Sequence, residues 1–282
     1  MDQFESDLKK KIYETVKGTK ERKICVSFSG GLDSSLLAKV CRDLKKDVTL
    51  LTVGFPQAAD LNYVKKVSSQ LKLPLLVKKL NIEELEKDIG KMISWVKFPN
   101  IIELEISLAH FYSFLLAHEN NIDRVLTANG LDALFCGFDK YRNIIEEGNE
   151  KLQETQEEDV KHALENEKKY EKIASSLKIK KVSPFLDLEF VRFVLTIPFN
   201  LKIKGPDDNL RKHILRKVAL DIGLPKIAAL RPKKAVQYSS KIDWAMEKLA
   251  KAHGITKEMA KSKGFKGIKE AYFRALARNQ GS

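Results

Sequence analysis

The stretch that decides the fold is Ile24-Cys25-Val26-Ser27-Phe28-Ser29-Gly30-Gly31-Leu32-Asp33-Ser34-Ser35. It begins with a short, mostly apolar run that predicts a buried strand. It ends where apolar residues start to recur at helical spacing, as far as Leu44. The two glycines between these patterns predict a tight loop. A strand, a loop and a helix in this order are typical of one unit of a parallel α/β sheet.

The same alternation continues along the first half of the chain. Further strands are predicted at 48–53, 75–80 and 125–128, and further helices at 60–71 and 103–118. This alternation indicates an α/β fold, in which a parallel sheet has helices on both faces and right-handed crossovers. Ligands of such sheets bind beyond the carboxyl ends of the strands. After Pro184 the pattern is helical, at 188–196, 209–220 and 242–252.

We therefore expect four parts in the chain. They are an N-terminal helix (1–20), an α/β core with the loop (21–142), a charged helical insertion or lid (143–180), and a helical, basic part that completes the site (181–282). Residues 143–172 contain ten acidic and five basic residues and no proline. The alternative for this insertion is a solvated surface helix without a role in the chemistry.

The net charge of +13 is unevenly placed. Residues 201–282 contain 20 basic and 7 acidic residues and so carry the whole excess, while the first 200 residues balance to zero. RNA, an anionic substrate, bound pyrophosphate or solubility alone are candidate reasons for this charge. A partner such as tRNA would bind through this basic C-terminal part.

Two basic clusters account for much of the excess. The first is expected as a stripe on a helix that begins near Asp208, and it consists of Arg211, Lys212, Arg216 and Lys217. Part of this cluster could instead contact a phosphate group. The second consists of lysines between 257 and 269, interleaved with Phe265, Tyr272 and Phe273. These aromatic rings can stack on RNA bases, or they can pack a terminal helix against the core.

The cysteines and the hydropathy pattern indicate the compartment. Cys25, Cys41 and Cys136 are too widely spaced for a disulfide framework or a metal-ligand set, so a cytoplasmic location is expected. The charged start of the chain does not resemble a secretory signal, and we expect no membrane span. The oligomeric state stays open, and a homodimer is one of the options.

The loop from Ser29 to Ser35 is suited to bind phosphate or pyrophosphate. Glycines let the backbone approach an anion, successive N–H groups form a nest, and a helix N-terminus adds partial positive charge. The loop matches neither the Walker pattern nor the dinucleotide fingerprint. Asp33 would repel a phosphate unless a divalent cation lay between them, and Mg²⁺ binds through one or two carboxylates plus substrate phosphates.

The heptad Ser29–Ser35 resembles the signature of the PP-loop ATP pyrophosphatases, which cleave ATP between its α- and β-phosphates and transfer AMP. Asn129–Phe138 is similar to the G-E-G-x-D-E-L-F-G-G-Y segment of the synthetase domain of asparagine synthetases and β-lactam synthetases. Three later segments also match that family in order: Pro184-Phe185-Leu186-Asp187 (P-F-L-D), Ile197–Lys202 (L-P-x-x-L-K) and Arg231-Pro232-Lys233 (R-x-K). The resemblance implies an adenine nucleotide α-hydrolase-like fold and the use of ATP.

The resemblance also implies roles for individual residues. Asp33 and Asp132 would be the Mg²⁺ carboxylates, and Lys233 would stabilise charge during adenylation and acyl transfer. The residues implied for ATP and pyrophosphate binding are Ser29, Gly30, Gly31, Leu32, Asp33, Ser34, Ser35, Val53 and Gly130, with 51–53 beside the adenine. Asp33 and Lys233 are the catalytic candidates. The alternative for Asp132 is a helix N-cap, and for Lys233 an ordinary surface lysine.

The chain departs from the family pattern at three points. Residue 2 is Asp, where asparagine synthetases of this type have the cysteine of a glutaminase domain, so ammonia, an amine or the product of a donor protein is expected as nucleophile. Asn129 and Ala133 replace two glutamates on the acceptor side of the family's pocket, which puts aspartate as the substrate in doubt. Cys136 replaces a glycine and is either a sulfur-transfer thiol or a small buried residue.

Three hypotheses follow from the sequence. The first is an AMP-forming ligase that adenylates a small-molecule carboxylate or carbonyl oxygen and then transfers nitrogen to it. The second is a tRNA-modifying PP-loop enzyme that adenylates a base for nitrogen or sulfur insertion. The third, suggested by Asn129 and Ala133, is a nucleotide-binding subunit without catalysis.

Overall fold

The computed structural model describes residues 3–20, 22–58 and 60–279. Its centre is a sheet in which every paired neighbour is parallel, in the order β3-β2-β1-β4-β5. The strands are β1 Lys23–Ser27, β2 Asp47–Gly54, β3 Leu75–Lys79, β4 Arg124–Leu126 and β5 Lys180–Val182. This sheet, covered by helices, confirms the predicted α/β fold class.

Helices make up most of the remaining structure. In the first half they are α1 Gln3–Lys17, α2 Leu32–Asp43, α3 Asp60–Leu71, α4 Ile82–Trp95, α5 Ile101–Glu119, α6 Leu131–Leu134, α7 Tyr141–Ile144 and α8 Asn149–Ser176. In the second half they are α9 Leu188–Leu195, α10 Phe199–Lys202, α11 His213–Asp221, α12 Lys226–Ala229, α13 Val236–Ser239, α14 Ile242–Ala252, α15 Lys257–Ser262 and α16 Ile268–Asn279.

The order in which the chain adds strands to the sheet reverses at β1, with β2 and β3 on one side of it and β4 and β5 on the other. The strand pairs with β2 on one side and with β4 on the other, so the connections that follow β1 and β4 diverge to opposite sides. A crevice opens at such a switch point beyond the carboxyl ends of the two strands. The Ser29–Ser35 loop and the segment with Asp132 therefore face each other across this crevice.

Apolar residues form a layer on each face of the sheet. Ile24 and Val26 of β1 face one layer with α1, α2, α3, α9 and α11, while Cys25 faces the other layer with α4, α5, α14 and α16. This alternation is the two-residue period of a strand that is buried on both faces. Helix α5 is long and apolar enough to cross a membrane, but 72% of that window is buried inside the protein.

Side-chain caps define several helix starts. Asn81 and Asn100 accept backbone N–H bonds of 2.8 and 3.0 Å at the starts of α4 and α5, and Asp187 and Thr256 cap α9 and α15 in the same way. These caps satisfy N–H groups that a helix leaves free in its first turn. Helix α2 differs, because its N-cap is Gly31 and no side chain caps it. Its first N–H groups therefore remain available to an anion.

The structure also contains elements that the sequence did not indicate. Helix α4 and strand β5 were not predicted, and β5 has only three residues, too few to show a period. The helix expected over 209–220 begins only at His213. The basic stripe proposed for it is therefore wrong: Arg211 and Lys212 precede the helix with positive φ, and both are buried with Arg216.

The last helix packs against the core. Tyr272 and Phe273 of α16 are buried, and Lys269 donates a 2.7 Å bond to the buried Glu105 of α5. Of the two explanations for the aromatic residues in this cluster, core packing is the one that the structure shows for these two rings.

Candidate active site

The Ser29–Ser35 loop is held by its own serines. The Ser34 hydroxyl accepts from Ser29 N at 3.2 Å, and the Ser29 hydroxyl accepts from Gly31 N at 3.3 Å. The loop then enters the uncapped N-terminus of α2. Its shape is thus fixed by side chains, while the first-turn N–H groups of the helix remain directed at the crevice, which suits phosphate binding.

Four charged side chains meet where the loop faces the end of β4. Lys212 Nζ lies 2.6 Å from Asp33 Oδ2 and 2.8 Å from Asp132 Oδ1, and Lys233 Nζ lies 3.1 Å from Asp132 Oδ2. The Lys212 side chain is 3% exposed, whereas those of the two aspartates and Lys233 are about a quarter exposed. We call these residues the four-charge cluster. Its open side faces the cavity.

The pKa values follow from burial and from these pairings. Burial acts to raise the pKa of Asp132, but the ammonium groups of Lys212 and Lys233 outweigh burial and hold this pKa well below its usual range. The pKa of Asp33 is raised, mainly by burial. Among the residues described, Asp33 forms an ion pair with Lys212 alone, and the negative charge of Asp132 raises its pKa further. Burial opposes the charge of Lys212, yet the two carboxylates raise its pKa, so Lys212 stays protonated.

The segment before α11 positions Lys212. Arg211 and Lys212 both have left-handed backbones, with φ of 49° and 55°. Asp208 supports this turn by accepting from Arg211 N at 2.9 Å and by pairing with His213 Nε2 at 2.6 Å. Buried Arg216 donates to carbonyl groups on both sides, including that of Arg231 at 3.0 Å. Two adjacent strained residues that persist in this way are typical of functional sites.

Two glycines make the cluster sterically feasible. A Cβ at Gly137 would lie 2.3 Å from both Asp132 Oδ1 and Lys212 Cε, so no side chain fits there. Gly130 has φ of +93°, and its Cβ would lie 2.5 Å from Leu186 of the P-F-L-D motif. Gly130 is also the N-cap of α6, and Asp132 lies inside that helix. The N-cap alternative for Asp132 is therefore wrong.

Contacts with helix α3 hold the segment that contains Lys233. The Arg231 guanidinium stacks on the Tyr63 ring at 3.8 Å and pairs with Asp60 of α3. Lys234 binds the same carboxylate at 2.6 Å. These contacts leave Lys233 directed at Asp132 and not at solvent, with its side chain 23% exposed.

A single cavity of about 540 Å³ connects these features. Residues 51–53, the loop and the four-charge cluster line this cavity, and so do residues of α5 and α8. Of the predicted binding residues, Gly30 and Ser35 do not line the cavity. Those that do are Ser29, Gly31, Leu32, Asp33, Ser34, Val53, Gly130, Asp132 and Lys233.

Lys212 is a site residue that the sequence did not reveal. Its neighbours predicted a basic stripe on a helix surface, part of which could contact phosphate. A signal was present, because Asp33 and Asp132 require a counter-charge and Lys212 lies in a basic cluster of the C-terminal part. Spacing alone could not single it out among its basic neighbours.

The cluster fits a magnesium ion. Asp33 Oδ1 is buried and accepts no hydrogen bond from the residues described, which leaves an oxygen ligand available. Within the described ranges no group of three or more His, Cys, Asp or Glu side chains could hold a metal ion. Two carboxylates suffice for Mg²⁺ when phosphates and water supply the other ligands.

Cys136 does not have the properties of a reactive thiol. It is fully buried, its φ is +54°, and burial raises the pKa of its thiol to about 12. Reactive cysteines are exposed and have lowered pKa values. The positive φ is the conformation that favours glycine, the residue that the family has here. The interpretation as a small buried residue is confirmed.

The fold and the site define a nucleotide-binding α/β protein of the PP-loop class. The chain belongs to the asparagine synthase family, whose model matches residues 7–153 and 144–282. This agrees with the resemblance found in the sequence, and the family implies that the protein uses ATP.

Curated relatives carry the same family name. A Methanocaldococcus jannaschii protein described as a glutamine-hydrolyzing asparagine synthetase is 29% identical over 282 residues, covering 89% of this chain and 51% of the relative. The glutamine-hydrolyzing asparagine synthetase of Gallus gallus is 25% identical, covering 76% of this chain and 39% of its own. This chain thus spans about half the length of such relatives, or less.

A solved structure of an NMN synthetase from Francisella tularensis aligns with 99% of this chain and 92% of its own. The TM-score is 0.45 and the sequence identity 13%. A similarity at this level carries no argument about function.

Proposed function

We propose that this protein is an AMP-forming ligase. It binds ATP with Mg²⁺, adenylates a carboxylate or carbonyl oxygen of a small-molecule acceptor with release of pyrophosphate, and transfers a nitrogen nucleophile with loss of AMP. The single observation that carries the proposal is the four-charge cluster beside an uncapped helix N-terminus in one cavity.

Each member of the cluster has a role in this proposal. Asp33 and Asp132 would hold the magnesium ion, which supplies charge neutralisation of the triphosphate when bound. Lys212 keeps the two carboxylates together before the nucleotide arrives and would help to neutralise the departing pyrophosphate. Lys233, on the exposed side of Asp132, would stabilise the charge that develops on the α-phosphate and on the acyl group.

The remaining parts of the nucleotide have matching surfaces. The loop and the first turn of α2 would bind the pyrophosphate portion, and residues 51–53 would contact the adenine ring. The nitrogen donor is ammonia, an amine or the product of a separate protein. A cytoplasmic location and a homodimer stay predictions.

The experiment is an ATP–pyrophosphate exchange screen across amino acids and small carboxylates, followed by product analysis with the acceptor found. AMP and pyrophosphate are expected, and ADP with phosphate would refute the proposal. Lys233→Met should slow turnover by at least about 100-fold, the size of effect that loss of one transition-state contact produces. The exposed Lys226 supplies the matched control, because Lys226→Met should change the rate less than about twofold. Undiminished function in vivo of an Asp33→Ala, Asp132→Ala double variant would favour the subunit without catalysis.

A second candidate is a tRNA-modifying enzyme. The observation that favours it is a group of exposed lysines on and after α15, namely Lys257, Lys261, Lys263 and Lys266. If this surface binds RNA, changing all four to Glu should abolish tRNA binding that weakens with salt, since each phosphate contact adds to the salt dependence. Four exposed lysines of the α/β core, changed in the same way, are the control. Adenylation of a carboxylate without RNA would argue against this candidate.

A further inference from the structure

The cavity continues past the four-charge cluster into a lobe between α5 and α8. Helical spacing places the lining residues on facing surfaces: His110 and Ser113 lie on α5, and Asn166, Glu167 and Tyr170 on α8. Asn129, which replaces a family glutamate, closes the lobe beside the cluster. We call these six residues the α5–α8 lobe.

The carboxylate of Glu167 lines this lobe, whereas the lysine that pairs with it, Lys181, does not. Glu167 Oε1 accepts from Asn129 Nδ2 at 3.0 Å, and Oε2 pairs with Lys181 of β5. The Lys181 side chain is 0% exposed and does not line the cavity, whereas Glu167 does. Glu103 also lines the cavity and pairs with Lys169, which does not line it, and with His162 Nε2 at 3.2 Å, which does. A ligand in the lobe therefore meets carboxylate oxygens and not ammonium groups.

Further polar atoms in the lobe have no partner. Ser113 is 2% exposed, and its hydroxyl makes no hydrogen bond with any residue that the structure describes. His110 Nδ1 is likewise buried and unpaired, and the ring lies 4.4 Å from that of Tyr170. Burial lowers the pKa of His110 to about 4, so the ring is neutral and one of its nitrogens accepts hydrogen bonds. A buried polar atom without a partner costs free energy unless a ligand supplies one.

The lobe thus combines the Glu167 carboxylate with the unpaired Ser113 hydroxyl and His110 nitrogen, and apolar side chains of Ile106, Ala109 and Ala163 line the same cavity. We propose that the α5–α8 lobe binds the nitrogen nucleophile, and that this nucleophile is an organic primary amine that enters as its ammonium ion. The inference rests on the proposed function and names its second substrate by class. The donors of an ammonium group match the acceptors, and the apolar wall matches a carbon chain, which ammonia lacks.

The transfer step balances for an acyl adenylate. The ammonium ion gives one proton to the Glu167 carboxylate, and the freed electron pair of the nitrogen attacks the acyl carbon. A carbon–nitrogen bond forms, and the bond from the acyl carbon to the phosphate oxygen breaks, with its electron pair leaving on AMP. The second proton of the nitrogen passes to the AMP phosphate. Nothing is oxidised or reduced.

The first test measures binding and needs no acceptor. Propylammonium chloride should raise the unfolding temperature of the protein in a saturable way, because a ligand that binds only the folded state stabilises it. Sodium propionate, with a similar skeleton and the opposite charge, should not. Glu167→Gln should abolish the shift by propylammonium, while Glu171→Gln, at an exposed position of the same helix, should retain it. An equal shift by both salts, or none by propylammonium, would overturn the inference.

The second test separates the inference from the proposed function. With an acceptor that supports ATP–pyrophosphate exchange, Glu167→Gln should leave exchange within about threefold and slow amide formation from propylamine by at least about 100-fold. Because Glu167→Gln also removes the partner of buried Lys181, Ser113→Val serves as a second variant. Its methyl groups narrow the lobe and should raise the KM for the amine at least about tenfold without altering exchange. Faster turnover with ammonium chloride than with any amine would refute the inference alone, whereas absence of exchange with every carboxylate and every carbonyl acceptor screened would refute the proposed function.

Discussion

Lys202 of α10 is a buried lysine whose charge should make the stability of the protein depend on pH. Its side chain is fully buried, and its ammonium group donates to Gln156 Oε1 at 3.2 Å. No carboxylate within the described ranges forms an ion pair with it. Burial lowers the pKa of Lys202 from 10.5 to about 8. The charged form is therefore less stable in the folded protein than in the unfolded chain.

The sign of the pH dependence follows from this lowered pKa. Below about pH 8 the lysine is charged in both states, and folding carries a full penalty of about 3 kcal/mol, since one pKa unit corresponds to about 1.4 kcal/mol. Between pH 8 and 10.5 the folded state binds fewer protons than the unfolded state, so this group makes the protein more stable as the pH rises. Roughly 2.5 kcal/mol of the penalty should disappear between pH 7 and 10.

The perturbation is Lys202→Met, which keeps the shape of the side chain and removes its charge. The free energy of unfolding of both proteins is measured by urea denaturation at pH 7, 8, 9 and 10. The difference between wild type and variant should change by roughly 2.5 kcal/mol over that range in favour of the wild type. The lost hydrogen bond to Gln156 costs the variant an amount that does not depend on pH in this range, so it cancels.

The exposed Lys226 provides the control, because Lys226→Met should leave the difference constant over the same pH range. A constant difference for Lys202→Met as well, within about 0.5 kcal/mol, would refute the reasoning. The result bears on the site because Gln156 Nε2 donates at 2.8 Å to the carbonyl of Leu134, two residues after Asp132. Lys202 thus belongs to a chain of contacts that supports the α6 turn.

Gly137→Ala should slow ATP-dependent pyrophosphate release by at least about 100-fold, because the added Cβ would displace Lys212, while the circular dichroism spectrum should not change. Gly205→Ala is the control and should be neutral, because its Cβ would meet nothing within 4 Å. Lys269→Met should destabilise the protein by about 3 to 5 kcal/mol in urea denaturation, because it leaves the buried Glu105 unpaired, while the exposed Lys266→Met should cost under about 0.5 kcal/mol. Cys136→Ala should keep turnover within about threefold, and inactivation of a folded variant would revive a role for the thiol.

The elements that the sequence predicted well are those with long or strongly periodic patterns. Helix α3 has the predicted bounds, and β2 and α5 differ from theirs by one or two residues. Strand β5 follows a helix rich in charged residues and is too short for a period to appear. Helix α11 was predicted to begin four residues too early, because nothing in the sequence reveals that Arg211 and Lys212 adopt left-handed backbones.

The candidate site divides in the same way. The phosphate loop is local, so its residues and spacing indicate its chemistry without a fold. The contact of Lys212 with Asp33 joins residues 179 positions apart, and the bond of Glu167 to Asn129 joins residues 38 apart. Neither contact leaves a trace in composition or periodicity.

The sequence by itself determined the alternation of most strands and helices, the anion-binding loop and the family, because each depends on short-range patterns of residue type. Only the tertiary structure decided which of the many lysines form ion pairs at the site or are buried in the core. Of the excess positive charge, Lys212 and Lys233 neutralise the two aspartates, Lys202 is buried under the Asp132 turn, and Lys269 fastens the last helix. Charge acts through distance and burial, and the fold alone sets both.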